Sequence, residues 1–160
     1  MPERKKQGGT LVRTIVAAGF AAVLLVSTPA LALSSRYTAN STLSPDALWA
    51  KVGDFCNIKT WLPAIDTCTL SDGGKTRTLG IKGGGTVVED LVSRDDATRT
   101  YSYRAVSGLP LNDYQSTIAV EPAPGGSMLV WTGTYTAKGQ SDAEAQKFID
   151  GLYASQKITQ

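Results

Sequence analysis

What most limits the folds open to this chain is a change of period along it. From Asp66 to Ala137, six short runs carry strand-type alternation: "DTCTLS", "KTRTLGIK", "TVVEDLVS", "TRTYSYRAV", "NDYQSTIAVE" and "SMLVWTGTYTA". Turn signals part them at Asp72-Gly73-Gly74, Gly83-Gly84-Gly85, Arg94-Asp95-Asp96, Ser107-Gly108-Leu109-Pro110 and Pro122-Ala123-Pro124-Gly125-Gly126. Strands joined by such tight turns pair antiparallel, because parallel neighbours need long crossovers. After Ala137 the period lengthens. Ser141-Asp142-Ala143-Glu144 has the form of a capping box. Behind it Ala145, Phe148, Ile149, Leu152 and Tyr153 fall on one face of a helix of about 17 residues.

The segment before the sheet completes the layout. "SRYTANSTL", Ser35 to Leu43, reads as a first strand. Ser44-Pro45-Asp46 then opens a short helix, with serine at the N-cap and proline in the first turn. Gly53 ends it, and Asn57 to Pro63 has room for one further turn. One strand, two short helices, six strands and an amphipathic C-terminal helix make an α+β domain.

The N-terminus sets the compartment. "MPERKKQGGTLVR" carries Arg4, Lys5, Lys6 and Arg13 against Glu3, and an apolar run from Ile15 to Val26 leads to Ala30-Leu31-Ala32. These are the three parts of a secretory signal peptide, and the run is shorter than the roughly 20 residues that span a bilayer. Residues 1–32 are therefore expected to be cleaved, leaving 33–160 as one exported domain, periplasmic or secreted, of a bacterial protein. Four of the 16 basic residues and one of the 14 acidic residues lie in the leader, so the remainder holds 12 against 13. A formal charge of −1 gives no electrostatic footprint for nucleic acid or for an anionic membrane.

Compartment and composition then narrow the chemistry. Cys56 and Cys68 are the only cysteines, and the chain has no histidine. Outside the cytosol, two cysteines at this spacing point to a structural disulfide. Its loop would contribute about 3 kcal/mol in the chain-entropy picture. A zinc site lacks ligands, a His-based triad is impossible, and no cofactor motif appears. "GGKT" at 73–76 lacks the upstream glycine and following helix of a phosphate loop.

With "GDF" and "WLPAI" after the first helix, and "YSYRAVSGLPLNDYQSTIAV" in the middle strands, the chain resembles the START-like, helix-grip superfamily. Within it the resemblance is to the SRPBCC group of polyketide cyclase/dehydrase and lipid-transport proteins, which includes the plant abscisic-acid receptors. That resemblance implies a seven-stranded antiparallel sheet curled around the C-terminal helix, with an apolar cavity between them. Alternation along the strands supplies the candidate ligand-binding wall. It comprises Leu79, Ile81, Glu89, Leu91, Tyr103, Tyr114, Ser116, Trp131 and Tyr135, with Trp61 closing the far end and Phe148 and Leu152 as the floor. Gly151 in mid-helix suggests a close approach by the sheet or a ligand. In the resembled receptors the loop at Gly83, Gly84 and Gly85 gates the pocket.

The function expected is the holding of a small hydrophobic molecule, without metal or cofactor. Glu89 is the single inward carboxylate and the one candidate for acid–base work in a cyclase- or dehydrase-type reaction. Alternatively it hydrogen-bonds a ligand or an interior arginine, Arg77 or Arg104. A third expectation comes from exported relatives of the MxaD type, accessory proteins that help periplasmic methanol dehydrogenases work with their cytochrome. Such a role needs a periplasmic protein partner and an exposed apolar or charged patch.

Overall fold

In the computed structural model, which describes residues 1–2 and 31–158, seven strands form one sheet. The strands are β1 (Leu33–Ser41), β2 (Ile65–Ser71), β3 (Thr76–Ile81), β4 (Thr86–Asp95), β5 (Thr100–Ser107), β6 (Leu111–Ala123) and β7 (Gly126–Ala137). Their order is β1-β7-β6-β5-β4-β3-β2, every neighbouring pair antiparallel. Six strands follow each other as a meander. β1 alone joins out of sequence, against β7. Two short helices, α1 (Pro45–Val52) and α2 (Ile58–Trp61), carry the chain from β1 to β2 on the opposite edge. The long helix α3 (Asp142–Ala154) packs on β1 and β7. This is the expected α+β helix-grip layout. Almost all of the leader expected over 1–32 lies outside the described residues.

Local chemistry accounts for the boundaries. Ser44 caps α1 by accepting a hydrogen bond from the Ala47 amide at 3.3 Å. α3 begins with the reciprocal box: the Glu144 amide donates to Ser141 Oγ, and the Ser141 amide donates to Glu144 Oε2 at 2.9 Å. α3 has 13 residues rather than the 17 expected. The chain leaves the helix early because the Lys157 amide donates to the Trp61 carbonyl at 2.8 Å and Ile158 is buried. A docked tail replaces the last helical turn. The turn at 83–85 runs through positive φ at all three glycines, a region that side chains with a Cβ avoid.

Alternation places the core as read. Tyr114, Ser116, Ile118 and Val120 of β6 are buried, as are Leu129, Trp131 and Tyr135 of β7 and Tyr101 and Tyr103 of β5. α3 adds Ala145, Ile149 and Tyr153. Cys56 and Cys68 are joined by a disulfide that ties the segment before α2 to β2.

Candidate functional site

A cavity of about 310 Å³ opens between the sheet, α2 and α3. β3 lends it Leu79 and Ile81, β4 lends Val87 and Glu89, and Tyr103, Tyr114 and Trp131 come from β5, β6 and β7. Ile58 and Leu62 close one end, while Phe148 and Leu152 border it from α3. Two larger depressions, of about 460 and 490 Å³, are lined mainly by outward-pointing polar residues such as Asn112, Gln115, Thr117 and Thr132. They are grooves of the sheet's outer face, so the apolar space on the inner face is the better candidate.

Eight of the residues expected on the wall border the cavity: Leu79, Ile81, Glu89, Tyr103, Tyr114, Trp131, Phe148 and Leu152. Phe148 is 39 % exposed, so it and Leu152 form an open side rather than a floor. Gly84 and Gly85 touch the cavity, but Gly83 does not. Four other residues lie off the wall. Trp61 is buried edge-on against Trp131, with ring centroids 5.4 Å apart. Ser116 is buried behind Trp131, whose Nε1 donates to Ser116 Oγ at 2.9 Å. Tyr135 lies on the β1 side of Tyr114, ring centroids 6.4 Å apart, against Ser35 Oγ at 2.6 Å. Leu91 follows the cavity-lining part of β4 and is half buried, next to a register shift between Leu91 and Ser93. A Cβ on Gly151 would meet nothing within 4 Å, so no close approach explains that glycine.

The wall also includes residues that sequence alternation did not single out for the site. Gly108, Leu109 and Pro110 reach it from the β5–β6 loop, Ile58 reaches it from α2, and Leu62 from the residue that ends that helix. Ile58 and Leu62 stand at i and i+4, a spacing that would have shown a shared helical face. The loop residues carry no periodic signal.

The polar interior is a network with a definite direction. Ser116 Oγ donates to the Thr132 carbonyl at 2.7 Å, which uses its one proton. Tyr153 Oη, 3.2 Å away, can then donate to Ser116, Tyr114 to Tyr153 at 2.9 Å, and Tyr103 to Tyr114 at 3.4 Å. Trp131 Nε1 donates to both Tyr103 Oη, at 3.1 Å, and Ser116. In this arrangement every hydroxyl has spent its proton inside the protein. Burial pushes the Tyr153 phenol up to about 12 and those of Tyr103 and Tyr114 upward as well, so all three stay neutral donors. Tyr153 stacks on Trp131 with centroids 4.1 Å apart.

Glu89 has a different environment. It lies directly across from Arg77 in the β3–β4 ladder, and Arg77 Nε donates to Glu89 Oε2 at 2.7 Å. Arg77 Nη1 donates to the Phe55 carbonyl at 2.5 Å, and its guanidinium lies between the Phe55 and Tyr103 rings, 4.1 and 4.7 Å from their centroids. Arg104, the other arginine considered, pairs with Asp90 on the outer side at 3.1 Å. Burial pushes the Glu89 carboxyl above its ordinary range, and the Arg77 charge draws it partly back. Arg77 is fully buried and held firmly protonated by Glu89 against the cost of desolvation. Its Nη2, like Tyr101 Oη, is a buried atom without a hydrogen-bond partner. Among the described residues no group of histidine, cysteine or carboxylate side chains is arranged to hold a metal.

Comparison with known proteins agrees with this architecture. The XoxI protein of Bacillus cereus is 31 % identical, with a TM-score of 0.72 over 78 % of this chain and 88 % of that one. A putative uncharacterized protein of Bacillus thuringiensis is 30 % identical, with a TM-score of 0.71 over 78 % of this chain and 91 % of that one. The Zhui aromatase/cyclase of Streptomyces sp. R1128 shares the fold, with a TM-score of 0.64, 13 % identity and coverage of 78 % and 86 %. No curated protein matches the chain. Residues 32–156 match the family described as polyketide cyclase / dehydrase and lipid transport, and the chain belongs to that family.

Proposed function

We propose that this protein binds a small hydrophobic molecule, non-covalently, in the cavity between the sheet and α3. The observation that carries this reading is the 310 Å³ space inside the sheet, open on the side of Phe148 and Leu152, with a mainly apolar wall and one carboxylate. Ligand sites have this character, apolar with a few polar groups that fix orientation. An engineered apolar cavity of roughly 150 Å³ holds one benzene ring. The space here is about twice that, suited to a two-ring molecule or a short chain. Arg77 occupies one oxygen of Glu89, which favours an anchoring role for the carboxylate over that of a proton shuttle.

Export belongs to the same proposal, on the strength of the basic, apolar and Ala-Leu-Ala segments at the N-terminus and the Cys56–Cys68 bridge. Native mass spectrometry of the purified protein tests the binding. A specific apolar adduct is expected, and Ile81→Trp, which fills the cavity from β3, should abolish it while the fold is retained. A protein that carries no adduct and takes up no two-ring aromatic would overturn the reading. The accessory role beside a periplasmic dehydrogenase would then be the one to pursue.

A further inference from the structure

We infer that the ligand is a neutral apolar molecule bearing a hydroxyl group, an alcohol or phenol that donates to Glu89, and that carboxylates are excluded. This rests on the cavity being a binding site and names the chemistry it selects. The hydroxyls of Tyr103 and Tyr114 can spend their protons along the chain that ends on the Thr132 carbonyl. Trp131 has given its proton to Tyr103 and Ser116. Glu89 differs from all of these. It is 5 % exposed and borders the cavity; Arg77 holds Oε2, and no hydrogen bond reaches Oε1 from the described residues. Oε1 keeps its exposure to the cavity, so a hydroxyl on the ligand gives it there the donor that the protein does not supply, where an apolar ligand would leave it without one.

Charge narrows the class further. Glu89 is the one charged side chain on the wall, and Arg77, its counter-ion, is not on the wall. A ligand carboxylate would meet a like charge, with no wall cation to receive it. A ligand cation would leave the pair and its guest with one uncompensated positive charge in a low-dielectric interior. A neutral hydroxyl gives the oxygen its hydrogen bond and adds no charge.

Three probes of matched size test this at neutral pH: 2-naphthol, 2-methoxynaphthalene and 2-naphthoate, titrated calorimetrically into the purified protein. The naphthol should bind about 10- to 100-fold more tightly than the methyl ether, the range expected of a hydrogen bond to a charged acceptor. The naphthoate should not bind. In the double variant Arg77→Met/Glu89→Leu, which removes both charges together, naphthol and ether should bind alike. Equal binding of naphthol and ether to the wild-type protein would overturn the inference and leave the cavity reading standing. So would tight binding of the naphthoate, or a naphthol preference that survives in the double variant. If neither naphthol nor ether binds, both the inference and the binding reading fail.

Discussion

Removing Glu89 alone should destabilise the protein far more than removing it together with Arg77. The two side chains face each other across β3 and β4, joined at 2.7 Å, with side-chain exposures of 0 % for Arg77 and 6 % for Glu89. Glu89→Leu strands a guanidinium that water cannot reach, and breaking a buried pair in this way costs about 3–5 kcal/mol. Arg77→Met strands the carboxylate and frees the Phe55 carbonyl, for a similar loss of about 3–5 kcal/mol. In the double variant neither charge remains to be solvated, and methionine can lie between the Phe55 and Tyr103 rings where the guanidinium lay. What persists is the unpaired Phe55 carbonyl, worth about 1–3 kcal/mol. The double variant should therefore be more stable than either single one, and well short of the sum of their losses. Urea denaturation of the four proteins, followed by tryptophan fluorescence, closes the cycle. Losses that simply add would refute the reasoning, because they would mean that each charge is solvated independently of the other.

Gly133→Ala should destabilise by about 1–3 kcal/mol in thermal unfolding, because the added methyl collides with Tyr153 Oη, which is held by stacking on Trp131 and by hydrogen bonds to Tyr114 and Ser116. Ellman titration of unreduced, denatured protein should find no free thiol, since Cys56 and Cys68 are joined; two reactive thiols per chain would contradict the bridge. The Ser141 amide and hydroxyl hold the Glu144 carboxyl below its ordinary value of 4.5. The folded state therefore binds that proton more weakly than the unfolded chain, and the stability Glu144 contributes is complete above pH 4.5 and lost as pH falls through its depressed value. Glu144→Gln keeps a capping-box side chain but cannot titrate, so its unfolding midpoint should fall less steeply below that pH than the wild type's.

The sheet was readable because its signals are local. Two-residue alternation is a property of the extended backbone, so the inward positions of β5, β6 and β7 follow from the sequence alone. The same holds for the capping box at Ser141, which depends on four consecutive residues, and for the pairing of Cys56 with Cys68, the chain's two cysteines. Alternation assigns a face, however, and not a depth along the sheet. Tyr114 and Ser116 share a face of β6, yet the cavity reaches only Tyr114, because Trp131 and Tyr153 fill the space in front of Ser116. Tyr135 is as inward as Trp131, but it lies one strand further across the sheet than Tyr114, on the β1 side where Ser35 and Asp150 meet. Leu109 and Pro110 joined the wall through loop geometry that no periodicity encodes. The partner of Glu89 was likewise open between two arginines. Strand register decided it, placing Arg77 opposite Glu89 and Arg104 opposite Asp90 on the other face, and register is set by how hydrophobic faces and turns fit together across the whole sheet.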